Sequence, residues 1–103
     1  MTFNEKLILE NSYELWNGNH NDSFIDLLVS QNIFNHEKYS EIIEVITKLD
    51  KTEKIKYKDY IFNILKDIIR YLTYHLDPSD SYKLIDCSVD VIKVIDETVN
   101  IFY

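Results

Sequence analysis

The chain predicts an all-α fold: one domain over residues 1–103, a bundle of about five helices with the last two long and antiparallel. Three observations predict it. The chain holds one glycine, Gly18, and one proline, Pro78, too few turn formers for a β-sandwich or barrel of this length. Hydrophobic residues make up 46% of it, enough for a core. Its long segments carry apolar residues at helical spacing, with little of the strict alternation of a strand.

The elements follow in order. Thr2 and Glu5 have capping-box spacing and open a first helix over about 3–16, which Gly18 and the asparagines of NGNHND end. Asp22 or Ser23 caps a short helix over about 24–31. After the connection NIFN, Asn35 caps a third helix over about 36–50, with Tyr39, Ile42, Ile43, Ile46 and Leu49 inward. The charged turn DKTEK leads to a fourth helix over about 54–76. On its wheel Tyr57, Ile61, Ile64, Leu65, Ile68, Ile69, Leu72 and Leu76 form one apolar arc. DPSD, with Asp77 as cap, Pro78 first and Asp80 in the first turn, opens a last helix over about 78–101. There Ile85, Val89, Ile92, Ile95 and Val99 share a face, which Val91, Val94 and Ile101 widen. Asp86, Asp90, Lys93 and Glu97 form the polar wedge, and Asp96 falls in the apolar arc.

Charge narrows the function. The net charge is −7, unevenly spread: residues 1–50 carry −6, residues 51–77 carry +2 and residues 78–103 carry −3. This balance disfavours nucleic acid and anionic membranes, which reward clustered Lys and Arg, and favours a basic partner. One cysteine, Cys87, allows no internal disulfide, and no signal peptide or membrane-length apolar run is present, so a cytoplasmic location is expected.

Catalytic chemistry has little support. His20, His36 and His75 lack metal-ligand spacing and Cys87 has no neighbouring thiol, so neither a metal nor another cofactor is expected. A single glycine makes a backbone phosphate cradle improbable. Arg70 and His75, in IIRYLTYHL, have R-x4-H spacing. This resembles the signature of the HEPN ribonucleases, small all-helical RNA-cutting domains, and would imply RNA cleavage by that pair. The sequence departs from the family where Tyr71 follows the arginine in place of a polar residue. Five helical residues turn through about 500°, leaving the two side chains about 140° apart on one helix. The simpler reading is a positively charged helix end.

Two surface features favour binding. Glu37, Glu41 and Glu44 follow one another at steps of four and three, with Lys48 offsetting Glu44. Tyr60, Tyr71 and Tyr74 line one shoulder of the fourth helix, and tyrosine is enriched at protein interfaces. In general character the chain resembles the bacterial immunity proteins of toxin–immunity systems, including those of contact-dependent growth inhibition. The resemblance is compositional and spans the whole chain. It implies a non-enzymatic protein that binds a cognate toxin, commonly a basic nuclease, through Glu37, Glu41, Glu44, Asp86, Asp90, Glu97, Tyr60, Tyr71 and Tyr74. An acidic decoy that mimics DNA is the alternative binder, and self-association through the apolar last helix is a third option.

Overall fold

The computed structural model describes residues 2–85 and 90–102. Six helices make up the described chain: α1 (Phe3–Glu10), α2 (Phe24–Ser30), α3 (His36–Lys48), α4 (Lys51–Lys56), α5 (Lys58–Leu76) and α6 (Val91–Phe102). No strand occurs among the described residues. α5 is the axis of the molecule, packing against α1, α2, α4 and α6, while α3 packs on α1 and α2. The Cα radius of gyration is 13.3 Å, close to the roughly 13 Å of a folded chain of about 100 residues.

Side-chain caps start the first four helices. Thr2, Ser23, Asn35 and Asp50 each accept the amide three residues on, satisfying a first-turn donor that has no intrahelical partner. At α4 Glu53 returns the bond to the Asp50 amide, completing a capping box. DKTEK is therefore the start of a helix, not the turn expected there.

α1 stops at Glu10, well short of 16, because side chains at Asn11 and Ser12 compete for its carbonyls. Asn11 Nδ2 donates to the Leu7 carbonyl at 2.9 Å, and Ser12 Oγ to that of Ile8 at 2.7 Å. Asn11 Oδ1 also accepts the Ile25 amide at 3.0 Å, tying the end of α1 to the start of α2. Gly18 serves the next loop instead: a Cβ there would overlap the Trp16 ring.

The expected fourth helix is two. Tyr57 leaves helical geometry (φ −104°, ψ 14°) between α4 and α5. Tyr57, Ile64, Leu65, Ile68 and Leu72 are buried as expected, whereas Leu76 is exposed. Each buried aliphatic side chain contributes roughly 1.5–3 kcal/mol. Around them pack Ile8, Phe24, Ile25, Leu28, Ile42 and Ile46.

The last helix differs most from expectation. It has 12 residues and begins at Val91, so it is not the long partner predicted for α5. Asp77 ends α5, and its carboxylate accepts the Ser79 amide and hydroxyl at 2.9 and 2.8 Å, closing a turn over Pro78. Asp80 Oδ1 then takes the Tyr82 amide at 2.8 Å. The residue that marks the start of α6 is Asp90, whose carboxylate accepts the Lys93 amide at 3.1 Å. The buried face of α6 is Val91, Val94 and Thr98, with Ile95 half-buried. Ile85 and Ile92, expected on the core face, are 59% and 63% exposed. Asp96 reaches solvent. Val89, Asp86 and Cys87 lie outside the described residues.

Candidate interaction surface

α3 presents its acidic residues as a ridge. Asn35 sets the helix start, and burial of Tyr39, Ile42 and Ile46 fixes its rotation. Glu37, Glu41 and Glu44 consequently stand on the opposite side, all exposed. Lys48 reaches Glu44 at 2.7 Å, and that bond lowers the Glu44 carboxyl below the usual range. Glu37 and Glu41 have no ion-pair partner among the described residues.

Beside this ridge runs a groove between α3 and α6, lined by His36, Tyr39, Ser40, Asp90, Lys93, Val94 and Glu97. Two of the predicted acids, Asp90 and Glu97, are thus brought next to α3. Asp90 is held there by its capping bond to the Lys93 amide. The Tyr39 hydroxyl lies 3.4 Å from Thr98 Oγ1 at the groove floor. Burial raises the Tyr39 hydroxyl above its ordinary range, and the Glu97 carboxylate adds to that, while the Thr98 bond opposes it.

The tyrosine shoulder is less open than expected. Segment 11–16 runs across it: Ser12 Oγ contacts the Tyr60 carbonyl at 3.4 Å, and Glu14 pairs with Lys66 at 3.5 Å and Arg70 at 3.4 Å. Tyr60 and Tyr71 are half-buried, and Tyr74 is 38% exposed. Tyr71 stacks edge-on against Tyr74, ring centres 5.5 Å apart, and packs against Tyr82 at 5.3 Å. Tyr60, eleven residues before Tyr71, lies about 16 Å up the helix, apart from this cluster. Sequence reasoning missed Tyr82, which arrives from a segment expected to be helical. Its hydroxyl donates to the Leu28 carbonyl, and burial drives its pKa far up.

Two further polar groups sit inside the shoulder. Asn63 and Asp67 are 4% and 2% exposed, and neither Oδ1 atom has a hydrogen-bond partner among the described residues. Burial raises the Asp67 carboxyl, the Glu14 charge adds to this, and Arg70 and Lys66 oppose it. Arg70 approaches Asp67 Oδ1 only to 3.8 Å. The wheel held the signal: Asn63 and Asp67 flank the apolar arc on the side of Tyr60 and Tyr71, where a covering segment buries them.

The structure gives Arg70 and His75 separate employment. Arg70 faces Glu14 and Asp67, and His75 Nδ1 accepts the Leu84 amide at 2.9 Å. Among the described residues no group of three His, Cys, Asp or Glu side chains is placed to hold a metal ion. No helix among them is long and apolar enough to cross a membrane. No protein-family model, no curated protein and no solved structure matches the chain.

Proposed function

We propose that this is an immunity protein: a cytoplasmic binding protein, not an enzyme, that captures a cognate bacterial toxin and holds it inactive, as in contact-dependent growth inhibition. The toxin is a basic nuclease domain. The observation that carries the reading is the α3 ridge, three exposed carboxylates of which two lack any ion-pair partner among the described residues. Asp90 and Glu97 extend the acidic surface across the neighbouring groove. Asp86 joins this set by sequence alone. Complementary charge of this kind accelerates encounter and selects among partners. Tyr74, with Tyr71 and Tyr82 behind it, offers a separate aromatic anchor; Tyr60 belongs to the reading through its place on the same helix.

Tagged protein recovered from its native host at low and high salt tests this. The expected result is one stoichiometric basic partner whose nuclease activity is silent in the complex. Replacing Glu37 and Glu41 with lysine should slow association roughly tenfold or more at low salt, and far less at high salt. RNA cleavage by the purified chain that disappears with Arg70→Ala or His75→Ala would replace this reading with the ribonuclease one.

A further inference from the structure

The two sides of α3 carry complementary surfaces. On one side Phe3, 65% exposed, stands beside Glu41 and Glu44, with Asn4, Val45 and Lys48 completing the patch. It is an apolar knob flanked by two carboxylates and the Lys48 ammonium. On the other side lies a groove of about 450 Å³ between the end of α3, α4, the first half of α5 and the end of α6. Its apolar lining includes Ile46, Ile61, Leu65 and Ile101, and its cations are Lys54 and Lys58. In a chain with 18 acids and 11 bases, no acidic residue among the described ones lines this groove. Neither lysine has an ion-pair partner among the described residues. A volume above about 300 Å³ is enough for a ligand-sized apolar group.

We propose that these two surfaces dock on each other between copies of this chain: Phe3 of one copy seats in the groove of a second, with Glu41 and Glu44 facing Lys54 and Lys58. Charge complementarity selects the occupant. A groove whose charged edge, among the described residues, is made of cations takes an apolar group that brings carboxylates with it, and the chain itself displays that combination. The two surfaces share no residue, so a copy engaged through its knob keeps its groove open. The contact is heterologous and propagates head to tail into rings or short chains. Each surface is small, so association is weak and concentration-dependent. Lys48 already neutralises part of Glu44, which leaves Glu41 as the dominant acid of the pair. This does not rest on the toxin reading, because purified chain alone is measured.

Sedimentation velocity over a concentration series tests it. At roughly 20 mM salt the weight-average mass should rise with concentration, and at roughly 500 mM, where charges are screened within a few ångströms, it should return toward monomer. Two charge-reversed proteins are then compared: Lys54→Glu with Lys58→Glu, and Glu41→Lys with Glu44→Lys. All four positions are exposed, and unchanged helical circular dichroism confirms folding. Each variant alone should remain monomeric, because its knob and groove now carry like charge. Mixed one to one, the variants should associate again, because each knob meets a groove of opposite sign. A wild-type chain that stays monomeric at low salt overturns the proposal. So does association that survives both reversals, or variants that fail to restore it when mixed.

Discussion

In α3 every local signal agrees with the outcome: Asn35 caps it, the apolar residues repeat at helical spacing, and it forms where expected, over His36–Lys48. Residues 77–85 carry an equally clear helix-start pattern in Asp77, Pro78 and Asp80, and they are not helical. The difference lies in what holds each segment. α3 is held by an apolar face, so its interactions can be read one turn at a time. The 77–85 segment is held by hydrogen bonds to groups outside it, at the end of α5 and in the connection between α2 and α3. His75 takes the Leu84 amide, Asn32 Nδ2 donates to the Lys83 carbonyl at 2.8 Å, and the Ile85 amide donates to the Asn32 carbonyl at 2.8 Å. Asn32 meets that last partner from a left-handed backbone, φ 57°, a conformation asparagine tolerates better than most residues. Local and long-range fixation produce ordered chain equally well, but only the first leaves a periodic trace.

The largest expected effect breaks the loop. His75→Ala removes the acceptor of the partly buried Leu84 amide and should cost about 1–3 kcal/mol. Hydrogen exchange should quicken at Leu84 and its neighbours while α3 amides keep their protection relative to global unfolding. Equal loss in both regions would mean that loop and helix form one cooperative unit. A smaller effect breaks α3 locally. Asn35→Ala deletes the acceptor for the Lys38 amide and should lower denaturant-measured stability by about 1 kcal/mol, whereas Asn35→Asp keeps the acceptor and should cost little.

The smallest effect is acid sensitivity in the loop. Bonds from the Ser79 amide and hydroxyl hold the Asp77 carboxyl below its usual range. The folded loop therefore favours the charged form: its contribution is present above the carboxylate's unfolded pKa and is lost as pH falls through the lowered value. Ser79 amide exchange, corrected for intrinsic rate, should lose protection below about pH 4. In Asp77→Asn that pH dependence should disappear.

The same distinction explains what was legible. Thr2, Ser23 and Asn35 announced their helices because a cap acts within one turn. The end of α1 was hidden because Tyr13, Leu15 and Trp16 continue an apolar rhythm past Asn11, whose partner Ile25 is remote in sequence. The break at Tyr57 was hidden because Tyr57 is buried on the same side as Ile61 and Ile64 on either account. Of the proposed surface, the α3 acids were legible from spacing alone. Their neighbourhood with Asp90 and Glu97 was not, because the true cap of α6, Asp90, sits thirteen residues beyond the expected cap at Asp77. The tyrosine shoulder was drawn as a boundary with solvent because nothing in α5 records that residues 11–16 lie across it.

That crossing segment also contains the chain's one tryptophan. The Trp16 ring is half-buried and stands edge-on to His20, centres 5.5 Å apart and planes at 80°, while His20 Nδ1 lies 2.8 Å from the Glu10 carbonyl. No residue of the central apolar cluster is an indole, so ultraviolet emission from this protein is a beacon on the strap and not on the interior. A melting curve recorded by tryptophan fluorescence follows release of the strap from the end of α1. One recorded by far-ultraviolet dichroism follows the helices. Superposition of the two curves is then a direct reading of whether strap and bundle come apart as one.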